Sequence, residues 1–432
     1  MNYKIGFPIQ RFTKEKVVQL IGSLILLIFI LIEARGASDF DIFLSAAHDL
    51  MLHKNIYAEQ YHQWYHYYYD VLFALVLVPF ASLPPYLANL LWLSLNIVFF
   101  YRIFTITMNY LPLSLLNNKA RKLFMVLSII FVFRFVKDNI HLGQMTIFIL
   151  SLSLEGLHLI HRNKKISGAL LIAIAITIKL LPILLIPYLF YRKEWKAGIA
   201  IFLFMAILMV LPAIVIGWDY NSFLLSERWH LINPMNKEHL MDTSERSFHS
   251  LTTLLATLLV RNTGDFHELH IRRNIADVSL QTLNLFINIA RGMLILFSLW
   301  FLRSMPFKTF RNKLQTLYEV SYLLLITPLI FPHQQHYAFL FIFPATTYLL
   351  FRVFARYFNG MNKAPEQNSA AKKSFFIVFL FITYLATNSH LLLGEFDNYY
   401  DHFKTLTYGV FLLLILLAMN PPDSHHQDAP NS

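Results

Sequence analysis

Long apolar runs separated by short polar punctuation dominate this chain. The clearest cover residues 17–32, 86–110, 122–136, 144–161, 197–217, 283–302, 315–332, 336–355, 374–393 and 405–419. Most approach the roughly 20 residues that a bilayer-spanning helix needs. Such a series predicts an all-α polytopic membrane protein. Two stretches depart from it. Segment 71–83 is apolar but short, and ends at Leu83-Pro84-Pro85. Segment 166–190 is long enough to cross, yet carries Lys179 and Pro182 near its middle.

Charge placement orders these segments. Six basic clusters, at the N-terminus, 102–122, 162–165, 192–196, 303–313 and 352–373, hold 23 of the 36 lysines and arginines. Cytoplasmic loops of membrane proteins carry such an excess. All six fall on one side if 71–83 is a half-helix or surface piece and 166–190 breaks near Lys179–Pro182 into two short arms. Broken helices of this kind line cavities. The arrangement gives roughly 11 to 13 crossings with the N-terminus cytoplasmic. The first run, 17–32, reads as a retained helix rather than a cleaved leader, because no small-residue cleavage pattern follows it. Loop 33–70, the turn at 141–144, loop 218–278, the turn at 332–336 and loop 394–404 then face outward, with Lys179 at their level. Residues 1–420 form one integral-membrane domain, and the polar tail 421–432 is expected to be disordered.

Composition agrees. The 432 residues are 56% hydrophobic and only 14% charged, against about 25% charged in ordinary soluble domains. There are no cysteines, which excludes disulfides, iron–sulfur clusters and thiolate zinc sites. No P-loop, dinucleotide fingerprint or H-E-x-x-H stands in the sequence. The net charge of +11 sits in loops between apolar segments, so it marks topology rather than a nucleic-acid partner.

Several polar residues are candidates for chemistry. Phe40, Phe43, Leu44, Ala47, Leu50 and Met51 recur at helical spacing, as in a helix lying on the membrane surface. Asp39 and Asp41 at its start suit either helix capping or a catalytic base. Lys179, among apolar residues, is a candidate to hold a phosphate, since an ionisable group at membrane depth is costly; snorkelling to an interface is the alternative. His333 and His336 flank a proline-rich turn, with no third ligand evident for a metal. Arg134, Glu155 and Arg291 read as buried structural pairs. The aromatic run Tyr61–Asp70 suits a sugar-stacking platform or an interfacial belt.

The order of these blocks resembles glycosyltransferase family 87. The stretch D-F-x-x-F-x-x-A-A from Asp39, with Tyr57 eighteen positions on, is similar to the start of that family. So are Leu72–Asn96, the G-Q block at Gly143-Gln144, the K-x-x-P block at Lys179–Pro182, R-S-F-H-S-L at Arg246–Leu251 and the turn T-P-L-I-F-P-H-Q-Q-H-Y. The resemblance implies a GT-C type bundle in a bacterial-type plasma membrane. It implies a polyprenyl-phosphate sugar donor and a lipid or envelope glycan acceptor, mannose-like or pentose, at an external site without cofactor or metal. It assigns Asp39 as the catalytic acidic residue, with Lys179, His336 and His333 on the donor phosphate. Gln144, Asp41, Tyr57 and Arg246 are then the substrate-binding candidates. A transporter or lipid flippase, and a non-catalytic envelope-assembly subunit, are the alternative readings.

Overall fold

The computed structural model describes residues 14–36, 38–61, 65–233, 247–261, 269, 271–302, 306–309, 312–357 and 367–422. Residues 423–432 of the expected tail 421–432, Arg246 and the basic positions before Lys14 lie outside them. Among the described residues all regular elements are helices, and the chain is an all-α polytopic membrane protein.

The first helix, α1 (Lys14–Glu33), leads to α2 (Asp39–Met51), the short α3 (Val71–Ala81) and α4 (Pro85–Asn109). Next come α5 (Asn118–His141), α6 (Thr146–His161), α7 (Lys165–Ile178) and α8 (Leu185–Tyr191). They are followed by α9 (Trp195–Val210), α10 (Ala213–Ile216) and α11 (Trp218–Ile232). Beyond α12 (Leu251–Leu259) lie α13 (Leu280–Phe301), α14 (Lys313–Ile330), α15 (Phe343–Tyr357), α16 (Gln367–Asn388), α17 (Asp397–His402) and α18 (Thr405–Met419).

Five helical segments among the described residues are long and apolar enough to cross a bilayer, and a sixth is counted if the bent α17–α18 region is one span. Further apolar helices, such as α3, α6 and α7, are shorter. At 1.5 Å per residue the 11 residues of α3 reach only about 16 Å. It is too short for a full crossing, as expected for 71–83 whether half-helix or surface piece. The helix α14 runs through the middle, with every residue from Leu314 to Leu329 buried. A helix buried all round is mostly apolar, and the charge it carries needs a partner. Glu319 has several: it pairs with Arg192, accepts from the Tyr188 hydroxyl at 2.8 Å, and accepts from Gln315 at 2.7 Å.

Segment 166–190 is broken where its proline and lysine stand. α7 stops at Ile178, Lys179 is extended at φ −148°, and the 3-10 turn Leu181–Leu184 carries Pro182 in its first turn. Proline there loses no intrahelical donor. Both arms return to one end of the bundle. Lys165 Nζ lies 2.8 Å from the Glu194 carboxylate, and the Phe307 N–H donates to Tyr191 C=O at 2.7 Å. Phe307 also stacks on Trp195 at 5.6 Å. Basic clusters 162–165, 192–196 and 303–313 therefore share one end. The hairpin α6–α7 is closed by two glycines: a Cβ on Gly168 would lie 2.4 Å from Gly156 C=O. Small residues let membrane helices approach this closely.

Two expectations for the first loop change. The apolar face of α2 is not laid on lipid. Phe40, Ile42, Phe43, Ala46, Ala47 and Leu50 are buried inside the protein, and Phe40 stacks on Trp92 of α4 at 5.1 Å, nearly parallel. Only Met51, at the helix end, is exposed. The aromatic run is likewise partly core. Tyr67 and Tyr69 are buried and pack edge-on against Phe43, while Tyr65 and Tyr68 are exposed.

Candidate active site

Opposite the basic end, several loops converge. Ser38 precedes α2, and its N–H donates to the Asp41 carboxylate at 2.9 Å. Asp41 is thus occupied as a cap, a role carboxylates fill at helix starts. Asp39 does something else. Its N–H donates to Leu142 C=O at 3.1 Å, and its carboxylate accepts from the side-chain amide of Gln144. The turn 142–145 reaches α2 because Gly143 has φ +62° and no side chain. A Cβ there would lie 2.8 Å from the Phe40 Cβ and 2.9 Å from the Ser38 Oγ. The Trp92 indole N–H donates to Gly143 C=O at 2.9 Å and fixes the turn from the other side. The G-Q block is therefore a close approach followed by a ligand to Asp39.

Gln144 is buried and links onward. Its carbonyl oxygen accepts from the Tyr69 hydroxyl at 3.1 Å. Lys179 Nζ lies 5.7 Å from the Tyr69 ring centre and 5.9 Å from that of Tyr337. These distances fall in the cation–π range. Among the described residues no carboxylate stands within ion-pair distance of Lys179, so its charge is held by two aromatic faces. Asp39, Gln144, Tyr69, Lys179 and Tyr337 form one continuous chain of contacts.

Neighbouring groups hold this chain in place. The buried Tyr57 donates its hydroxyl to Tyr69 C=O at 2.9 Å, a structural bond rather than a free binding group. Asp70 caps α3 through the Leu72 N–H at 2.8 Å and pairs with Arg228 of α11. Burial pushes the Asp70 carboxyl up, against the pull of Arg228 and of backbone N–H groups. Arg228 also donates to Thr177 C=O at 2.8 Å, two residues before Lys179.

The turn histidines lie in an adjoining polar cluster. The chain around Phe248 pairs with the turn through a backbone bridge to Gln335, and the His249 N–H donates to Gln334 C=O at 2.9 Å. His333, at φ +55°, stacks on Phe248 at 5.3 Å. His336 Nε2 stands 3.3 Å from the Asp138 carboxylate of α5, beside His390 at 6.1 Å. Asn139, next to Asp138, donates to Tyr337 C=O at 2.9 Å and so ties this cluster to the wall of the Lys179 site. His249 in turn meets Asp401 at 3.2 Å; burial lowers its pKa to about 4 despite that carboxylate. Among the described residues no group of three or more His, Asp or Glu is placed to hold a metal ion. Of the expected buried pairings, Arg134 meets Asp138 at 3.6 Å inside the protein, whereas Glu155 pairs with Arg102 at 2.5 Å in an exposed position and Arg291 donates to Thr252 at 2.7 Å in a half-buried one.

Of the candidates, Asp39, Gln144 and Lys179 come together; Asp41 and Tyr57 are taken up in local structure; His333 and His336 adjoin; Arg246 lies outside the described residues. Tyr337, Arg228 and Asp138 are not among the sequence candidates, and Tyr69 and Asp70 enter them only as part of the aromatic run Tyr61–Asp70. The i, i+4 spacing of Arg134 and Asp138 was a legible signal for one pair. Nothing local marks Arg228.

No curated protein matches the chain. The family model of glycosyltransferase family 87 matches residues 67–314, a span that contains Gln144, Lys179 and Arg246, whereas Asp39 and His336 lie on either side of it. With more than half of its length matched, the chain belongs to glycosyltransferase family 87 and is an integral-membrane glycosyltransferase.

Proposed function

We propose that the protein is an inverting transferase with a GT-C type bundle that moves a hexose or pentose from a polyprenyl-phosphate donor to a lipid or envelope glycan acceptor. The site would lie on the external face of a bacterial-type plasma membrane, opposite the basic, cytoplasmic end. One observation carries this reading: the Asp39 carboxylate and the Lys179 ammonium belong to one contact chain through Gln144 and Tyr69.

In this mechanism Asp39 takes the proton of the acceptor hydroxyl as that oxygen attacks the anomeric carbon. The glycosidic bond forms on one face while the bond to the lipid phosphate breaks on the other, which inverts the anomeric centre. A positioned carboxylate of this kind contributes about 100- to 10,000-fold. Gln144 holds it in place. The leaving phosphate gains charge as its bond breaks, and Lys179, which makes no salt bridge among the described residues, is available to it. Preorganised charge in a water-poor site is the largest stabilising effect in such reactions. His336 and His333 are the adjoining donors, and Arg246 and Asp41 stand as substrate-binding candidates.

The test is purified Asp39→Asn protein incubated with polyprenyl-phosphate sugars and a membrane lipid extract, with products identified by mass spectrometry. Transfer is expected to vanish while folding and membrane insertion stay intact. Full activity would remove Asp39 from the mechanism.

A further inference from the structure

A cavity of about 530 Å³ opens outside the Asp39–Lys179 chain, where the end of α1 meets the starts of α2 and α4. This volume is within the usual range for small-ligand sites, about 300–1,000 Å³. Its walls include Arg35, Asp41, Tyr86 and Asn89. Three features set it apart from a surface dent.

First, it holds opposite charges that do not meet: among the described residues Arg35 has no ion pair, and the Asp41 carboxylate has only the Ser38 N–H. Second, Asn89 is 6% exposed, and its side-chain oxygen is buried with no hydrogen-bond partner. A buried amide without a partner costs about 1–3 kcal/mol, so a ligand that satisfies it is favoured. Third, the helices that flank the cavity turn apolar faces outward. Ile25, Ile28 and Ile32 on α1, and Leu91, Leu95 and Val98 on α4, are exposed. In a membrane protein these faces meet lipid chains, and the helix ends meet headgroups.

We infer that this cavity binds the headgroup of a zwitterionic phospholipid, a phosphate joined to a primary ammonium, whose tails lie along α1 and α4. The phosphate faces the Arg35 guanidinium, the ammonium faces the Asp41 carboxylate, and an ammonium N–H supplies the missing donor to Asn89. An anionic lipid without the amine brings no cation to Asp41, although a headgroup hydroxyl can still donate to Asn89. A quaternary amine carries the charge but no N–H to donate. The cavity shares Asp41 with the substrate-binding candidates above, but the inference rests on its own lining and not on the transfer reaction.

The experiment is native mass spectrometry of the full-length protein released from nanodiscs containing equal parts of phosphatidylethanolamine, phosphatidylcholine and phosphatidylglycerol. Preferential retention of phosphatidylethanolamine is expected. Arg35 is exposed, so Arg35→Gln is expected to leave folding unchanged and to lower that retention about tenfold, the effect of about 1.4 kcal/mol. Asn89→Ala serves as a second variant with the same expected direction. Soluble glycerophosphoethanolamine, which lacks the tails, is expected to compete poorly. Equal retention of the three lipids, or retention unchanged in both variants, overturns the proposal. Competition by the soluble headgroup as strong as by the lipid overturns its membrane part.

Discussion

Asp39 and Asp41 stand two residues apart on α2 and have opposite fates. About 200° of helix rotation separates them, so only one can cap Ser38 while the other turns to Gln144. Sequence spacing admits both as base or cap; the neighbouring turn sets which of them meets Gln144. That turn depends on Gly143. Gly143→Ala is expected to cost about 1–3 kcal/mol, because φ is positive and the new methyl meets Phe40 and Ser38. It should also lower turnover by shifting Gln144 from Asp39. Thermal unfolding in detergent together with product formation checks this, and a variant equal to the parent in both would show that the turn has room to spare.

Among elements, α11 lies within the stretch that the sequence shows only as the loop 218–278. Its Arg228 reaches across to Asp70 at the start of α3 and to the last turn of α7. Three elements distant in sequence are locked by one guanidinium, next to both Tyr69 and Lys179. Removing one member of a buried pair costs about 3–5 kcal/mol, since the other charge is left without an answer. Arg228→Met should therefore unfold at markedly lower temperature, and adding Asp70→Leu should recover part of the loss. If the double variant is no more stable than Arg228→Met, the pair is not coupled as the contacts indicate. The broken arm α7–α8, by contrast, was legible. Lys179 and Pro182 interrupt an apolar run in a way no continuous span tolerates cheaply, and the Lys165–Glu194 contact closes the arms at one end.

Over the whole molecule, three basic clusters share one end, away from the loops that hold Asp39 and Gln144, and the orientation proposed above follows from that separation. The chain has no cysteine, so single cysteines report topology directly. Lys164→Cys, at the exposed basic end, is expected to be shielded from a membrane-impermeant thiol reagent in intact cells, and Gln60→Cys, exposed in the first loop, is expected to react. The reverse pattern would place the proposed site on the cytoplasmic face.

The amino-acid sequence by itself determined the helical membrane class, the shortness of segment 71–83, the break at Lys179 and the blocks that mark the family. Those features are carried by apolar length, by proline and by the placement of charge, all local along the chain. Tertiary structure alone decided that Asp39 rather than Asp41 turns to Gln144, that α2 and the buried tyrosines are core rather than lipid-facing, and that Arg228 braces the site. These depend on which side chains meet across hundreds of residues of chain, and a periodic pattern specifies a face without naming what that face will touch.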